Sequence, residues 1–288
     1  ASFMEVRVYF PFIWEAMNIL GGILVIFIVN RDEPAVFKMS WIIPICLFPV
    51  LGALIYIFIM GNFGGIGLKA KLGRRMRETE GLLATDTVTR QAMKECSAQF
   101  QGFAHYMEKT AHFPAYHGTS AVYYPLGEDK FTDLLTELKK AEKFIFLEYF
   151  IIQPGVFWDS ILAILERKAA LGVEGRVMYD DFGCMCTLPR DDNEALTQKG
   201  IQCRVFNRLM PVMSLRMNNR DHRKLLIIDG KTGFTGGINL ADEYINQKVR
   251  FGHWKDSAIL LKGEAAWSMT VMFLTMWEYT SGTTEDFD

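Results

Sequence analysis

Apolar and polar positions follow different rhythms along this 288-residue chain. At the front they barely alternate. Trp41 to Met60 reads WIIPICLFPVLGALIYIFIM, a run without a charge. At about 1.5 Å of rise per residue such a run matches the ~30 Å hydrocarbon core of a bilayer. Pro44 and Pro49 are compatible with a membrane helix, and Trp41 sits where an interfacial aromatic belongs. The stretch before it, Phe10 to Val29, is broken by Glu15 and Asn18, and its strictly apolar part begins only at Ile19. A full span from about Phe12, closed by the polar loop Asn30 to Pro34, is expected. An interfacial or re-entrant helix is the competing reading. Residues 1–61 are therefore expected to form a transmembrane helical hairpin.

Residues 62–113 read as a basic juxtamembrane segment running into a polar, amphipathic helical connector. From about Pro114 the rhythm changes again. Phe144 to Ile152 (FIFLEYFII) is a near-continuous run of β-formers, as in a strand buried on both faces. Phe157 to Leu171 has helical spacing and stops at Gly172. Arg176 to Asp180 reads as a strand, Asp191 to Lys199 as a helix and Cys203 to Phe206 as a strand. Leu225 to Thr235 reads as a hairpin turning at Asp229-Gly230, Ser257 to Leu261 as a strand and Glu264 to Tyr279 as a closing helix. Such alternation predicts one α/β domain over residues 114–288, a mixed sheet flanked by helices.

Charge narrows the partners. A net charge of −2 argues against bulk nucleic-acid binding. Lys69, Lys71, Arg74, Arg75 and Arg77 follow the second apolar run with no acid among them. Arg31 and Lys38 in the preceding loop are outnumbered, so the positive-inside rule places the α/β domain on the cytoplasmic face of the cell membrane. The same cluster suits anionic headgroups. The five cysteines are odd in number and lack a paired metal spacing, which fits free thiols in a reducing compartment. No metal site is expected.

The chemistry concentrates in Asp221 to Asn239, DHRKLLIIDGKTGFTGGIN. Read blandly, this is a surface hairpin with a solvated His and Lys at one end. In an extended segment, however, His222 and Lys224 point to the same side. Asn239 follows Gly236 and Gly237, whose backbone can approach a ligand closely. A nucleophilic imidazole, a fixed cation and an amide donor together make a cradle for a phosphodiester. Asp229, at the turn, is assigned to holding the hairpin. Glu148 interrupts the first strand, and a lone buried carboxylate is costly unless paired. It is either a structural partner for an Arg or Lys, or part of the site at the strand ends.

His222-x-Lys224-x4-Asp229, followed by Gly236-Gly237-x-Asn239, resembles the HKD motif of the phospholipase D superfamily. The segments Asn30 to Pro34, Trp41 with Pro49 to Gly52, Pro125 to Gly127 with Glu128, Glu148 to Ile151, Tyr179 to Gly183, Asn219 to Lys224 and Asn239 to Asn246 resemble bacterial cardiolipin synthases. Together they cover nearly the whole chain. The resemblance implies a phospholipase D-like domain that transfers a phosphatidyl group from one phosphatidylglycerol to another, releasing glycerol through a phosphohistidine, without a cofactor. It implies His222, Lys224 and Asp229 of the motif as catalytic residues, with Lys224, Gly237 and Asn239 around the phosphate. It also implies a carboxylate that orients the His, a position Asp256 fits.

The family carries two such motifs per chain and this sequence contains one. A fragment of a longer enzyme is expected, completed by a second HKD domain in cis; a second copy in trans is the alternative. Two other readings compete: a homodimeric membrane-bound phosphodiesterase of the same superfamily, and a catalytically silent protein that binds anionic lipid.

Overall fold

The computed structural model describes residues 3–60, 70, 73–75, 77–209 and 220–284; for residues 3–10, 13 and 80 it describes the backbone alone. Lys69 and Lys71 of the basic cluster and Asn219 of the motif region lie outside the described residues. The chain divides into two compact units, one built on the first sixty residues and the other on the remainder.

The first unit contains α1 (Phe3–Val29), α2 (Ala35–Leu47) and α3 (Pro49–Met60). Trp41 to Met60, expected as one span, is two helices. Pro49 has no amide hydrogen and disfavours helical backbone in the residue before it, and Phe48 accordingly sits at φ −135°, ψ 74°. The chain then folds back, so that Trp41 meets the edge of Tyr56 with ring centroids 5.4 Å apart. Gly52 allows the turn: a Cβ there would lie 2.6 Å from the Pro44 carbonyl oxygen. Among the described residues, no helix is long and apolar enough to cross a membrane. The unit buries a small core around Ile28, Ile45 and Tyr56 while exposing Phe12, Ile26, Val36, Leu47 and Phe58.

The second unit is a mixed sheet with the order β1-β7-β6-β5-β2-β3-β4. Its strands are β1 (Ser120–Tyr124), β2 (Phe144–Tyr149), β3 (Glu174–Asp180), β4 (Ile201–Phe206), β5 (Leu225–Ile228), β6 (Thr232–Gly236) and β7 (Ala258–Lys262). β2, β3 and β4 run parallel, and the remaining pairings are antiparallel. Ahead of the sheet lie α4 (Thr87–Met93) and α5 (Ala98–Ala111). Then come α6 (Gly127–Leu138), α7 (Val156–Ala170), the single turn α8 (Asp181–Cys184), α9 (Asp192–Gln198) and the closing α10 (Ala265–Ser281).

Strand alternation sorts the core into two layers. Ile145, Leu147 and Tyr149 of β2, with Leu226 and Ile228 of β5, pack in one core with Leu134 of α6 and Phe157 and Ile161 of α7. Phe146 of β2, with Leu225 and Ile227 of β5, packs against Met269, Phe273 and Trp277 of α10. β2 is covered on both faces, which is why its sequence reads as a nearly unbroken apolar run.

Candidate functional site

Topology gathers the site at one end of the sheet. β2 and β3 finish there; β5, antiparallel to β2, starts there; β6 ends and β7 begins there. Phe150, Asp180, His222, Gly237 and Asp256 are therefore delivered to one edge by five different strands. This is the end at which open α/β sheets place their ligands.

His222 and Lys224 lie in the extended segment just before β5 and meet very different surroundings. His222 is exposed, its ring 4.7 Å from that of Phe150. Lys224 is buried; its ammonium donates to the His222 carbonyl at 2.5 Å and lies 5.4 Å from the centroid of the Phe150 ring. Among the described residues that carbonyl is its one hydrogen-bond acceptor, so two N–H bonds are left for a ligand. Burial pulls the Lys224 ammonium down to about 8, against the charges of Asp221 and Asp256.

Gly237 has another duty than the one the sequence suggests. Its N–H donates to the Ser257 carbonyl, so it is not available to a phosphate. What the missing side chain provides is room for Asp256, since a Cβ would come 2.0 Å from Asp256 Oδ1. Asp256 is half-buried and accepts the Ser257 N–H at 2.8 Å; no hydrogen bond joins it to the His222 ring. Asn239 is buried, accepts the Ile151 N–H at 3.0 Å and donates to the Tyr244 hydroxyl at 2.8 Å. It ties the exit of β2 to the following turn and keeps one amide hydrogen free.

Asp229 sits at the far end of β5 from His222. With φ 52° at the hairpin turn, its carboxylate accepts the N–H groups of Glu142, Lys143 and Phe144 at 2.8–2.9 Å. It clamps the start of β2 to the hairpin, at the opposite end of β5 from His222 and Lys224.

Glu148 finds the paired partner that a buried carboxylate needs. Glu148 is fully buried and pairs with Arg223, which also contacts Asp221 at 3.2 Å. Burial pushes the Glu148 carboxyl well above the usual range, against the opposing charge of Arg223. Asp221 is held below its ordinary value despite its own burial, by the hydrogen bond with Glu148 and the Arg223 charge. Asp180 extends the network, accepting the Asp221 N–H at 3.0 Å and facing Arg220 at 3.4 Å. From the sequence, Asp180, Asp221 and Arg223 carry no assigned role. Adjacent carboxylates and arginines inside otherwise apolar surroundings were the available signal.

The basic cluster is partly turned inward. Arg75 contacts Glu78 at 3.0 Å and Glu278 of α10 at 3.7 Å, whereas Arg74 and Arg77 are exposed.

Comparison with known proteins follows the same division. Residues 19–59 match the family described as "Phospholipase_D-nuclease N-terminal". An uncharacterized protein of Streptococcus mutans is 43% identical over 257 residues, covering 89% of this chain and 56% of the relative. "Major cardiolipin synthase ClsA" of Bacillus subtilis is 33% identical over 274 residues, covering 92% of this chain and 56% of the relative. The chain thus spans about half the length of these curated relatives. Among solved structures, NucT from Helicobacter pylori is similar over 56% of this chain and 97% of its own, at 13% identity and a TM-score of 0.43. The family described as "Cardiolipin synthase, PLD-like domain" matches residues 134–277, from within α6 into α10, taking in every strand from β2 to β7. By that match across half of its length, the chain belongs to the cardiolipin synthase, PLD-like domain family.

Proposed function

We propose that this chain supplies the first half of a phosphatidyltransferase site that makes cardiolipin from two molecules of phosphatidylglycerol. The observation that carries the reading is the pairing of an exposed imidazole with a buried, under-coordinated ammonium at the strand ends. His222 attacks the phosphorus of one phosphatidylglycerol. An N–P bond forms while the bond to the headgroup glycerol oxygen breaks, and glycerol leaves with a proton from a second acid. The headgroup hydroxyl of the second phosphatidylglycerol then attacks phosphorus, gives up its proton and releases His222. Lys224 neutralises charge on the non-bridging oxygens, and the free Asn239 amide hydrogen faces the same phosphate. Asp256 orients the imidazole once substrate has ordered it. A second HKD half, in the same reading frame or from another copy of this chain, supplies the acid and base.

The first unit is the membrane anchor in this reading. Its exposed apolar helices invert the arrangement of a water-soluble bundle, and lipid is the environment that suits them, whether as a transmembrane hairpin or as a folded-back insertion. The positive charges that follow orient the catalytic domain to the cytoplasmic face.

The test is to capture the covalent intermediate. With the complete reading frame in phosphatidylglycerol vesicles, acid quenching should trap a phosphatidyl group on His222, and His222→Ala should abolish both the adduct and cardiolipin. Cardiolipin formation at the unaltered rate by His222→Ala would sink the proposal. This chain alone in the same vesicles should yield essentially none; rapid turnover would favour pairing of two copies.

A further inference from the structure

The segment between Asn239 and Asp256 carries a pattern that the reaction as written does not use. Residues 248–255 read KVRFGHWK, in which basic and apolar side chains alternate without an acid. Val249 and Phe251 are each 79% exposed. Lys248 and Lys255 are exposed as well, and among the described residues neither has an ion pair. Arg250 reaches back to buried Glu243 at 2.8 Å and lies 5.2 Å from the centroid of the Phe251 ring. A single exposed apolar residue is ordinary, but two set between unpaired cations form a surface with a partner to meet.

The base of this loop is fixed. Asn246, at φ 54°, brackets Trp254, accepting its N–H at 2.7 Å and donating to its carbonyl at 3.0 Å. The Trp254 ring packs on Tyr244 with centroids 4.8 Å apart, and the Tyr244 hydroxyl accepts from the Asn239 amide at 2.8 Å. α6 closes the base from another side. Its Gly127 packs so closely on the Tyr244 carbonyl that a Cβ would come 1.8 Å from the oxygen. Lys130, further along α6, is fully buried 5.6 Å from the Tyr149 ring centroid. Residues 247–253 are exposed throughout and stand on a rigid stem that ends in Asn239 and Asp256.

Sheet order puts a second exposed apolar group across the site. The loop leads into β7, and Phe182 and Met185 follow β3; β6, β5 and β2, which deliver Gly237, His222 and Phe150, lie between. Phe182 and Met185 are 52% and 57% exposed. The catalytic edge is thus flanked on both sides by apolar side chains in water.

We propose that residues 248–255, with Phe182 and Met185, are a membrane-contacting rim that seats the catalytic edge on an anionic lipid surface. Val249 and Phe251 enter the headgroup region on one side of His222 and the β3 turn enters on the other, while Lys248 and Lys255 meet lipid phosphates. The proposal rests on the reading of His222 and Lys224 as a lipid-phosphate site, and adds that the lipid is met at the bilayer surface. A second protein half is the competing occupant. Protein interfaces are depleted in lysine, whereas lysine interleaved with apolar side chains suits an anionic membrane, where each positive charge favours binding about fivefold.

The test places a benzophenone photocrosslinker at Phe251 of the full chain in phosphatidylglycerol vesicles. Leu171 carries the same group as control: it is 78% exposed but lies between α7 and the start of β3, at the opposite end of the sheet. On illumination the Phe251 position should give about tenfold more lipid adduct than the Leu171 position, as expected for a side chain held in the headgroup region. Lys248→Glu should lower that yield about fivefold or more, and Lys248→Arg should preserve it. If the group at Phe251 disturbs the loop, Val249 offers a second attachment point. Equal lipid yields at Phe251 and Leu171, or a yield indifferent to Lys248→Glu, overturn the proposal. An adduct to a second copy of the chain in place of lipid also overturns it and makes the rim a protein interface. None of these readings needs turnover. Failure to trap a phosphatidyl group on His222 would count against the proposed function alone, and a trapped His222 without lipid at Phe251 would sink the rim alone.

Discussion

On one face of β2 Glu148 meets Arg223; on the other, Tyr149 lies beneath Lys130. The two residues are neighbours in sequence, and each anchors a buried charge cluster at the same end of the sheet. On the α10 side the cluster is closed in charge: Glu148 pairs with Arg223, Arg223 with Asp221, and Arg220 with Asp180, which also accepts the Asp221 N–H. On the α6 side the cluster is open. Among the described residues Lys224 has one acceptor, Lys130 has none, and Asp256 has only a backbone N–H from its neighbour. Closed networks fix a core, and under-coordinated ones are where a ligand completes the bonding. Under the proposed function, the difference separates the structural face of the strand end from the chemical one.

Mutation should divide along the same line. Lys224→Met, on the open side, should slow phosphatidyl transfer by about 10²–10³-fold, as expected for removing one preorganised donor to developing charge. Thermal unfolding should stay at or above the wild-type midpoint, because a poorly coordinated buried cation is replaced by an apolar side chain of similar length. A large drop in the unfolding midpoint would place Lys224 with the closed network.

Arg223→Ala tests the opposite case. It leaves Asp221 buried and charged beside Glu148. Breaking a buried pair from one side costs about 3–5 kcal/mol, with the low end expected here because Glu148 can hold a proton. Denaturant titration measures the loss, and any fall in transfer rate should track the fraction unfolded. Transfer lost from a fully folded Arg223→Ala protein would move this residue to the chemical side.

Asp229→Asn should have a smaller effect. One oxygen becomes an amide that cannot accept, so one of three clamping bonds to the start of β2 is lost or rebuilt. A stability loss of about 1–2 kcal/mol with unchanged binding of a phosphodiester is expected. Selective loss of binding would give Asp229 a direct role in the motif.

How much of this could be read from the chain depended on whether a residue broke its local pattern. β2 was legible because Phe144 to Ile152 is apolar on both faces, and Glu148 stood out against it. β1 was not, since Val122 and Tyr123 are exposed on an edge strand with no alternation to mark it. α6 escaped notice among the charges of GEDKFTDLLTELKK. Lys130, Leu134 and Leu138 nevertheless share one helical face, and that spacing was the available signal of a buried lysine. The fold-back at Phe48 follows from Pro49, which a membrane helix tolerates but which disfavours helical backbone in the residue before it. Gly237 was legible as a close approach, but its partner is Asp256 rather than a ligand. That distinction needs three dimensions, because the carboxylate comes from a different strand.

The mildest test of the open cluster uses pH alone. With the Lys224 ammonium pulled down to about 8 by burial, roughly nine-tenths of it is charged at pH 7 and roughly one quarter at pH 8.5. If that charge recognises the phosphate, affinity for a simple phosphodiester such as dimethyl phosphate, whose own charge is constant over this range, should fall about fourfold between those values. Lys224→Arg should flatten the curve, since a guanidinium stays protonated throughout. The stability of the protein should run the other way. Between about 8 and the unfolded value of 10.5, the unfolded chain holds the proton that the folded one has released, so stability rises with pH over that window. Binding that weakens while the fold strengthens over overlapping pH ranges is the signature of a lysine whose charge serves a ligand, and Lys224→Met should erase both slopes. Parallel slopes, with affinity and stability rising together, would mean that the ammonium belongs to the architecture and that the open cluster is closed in solution.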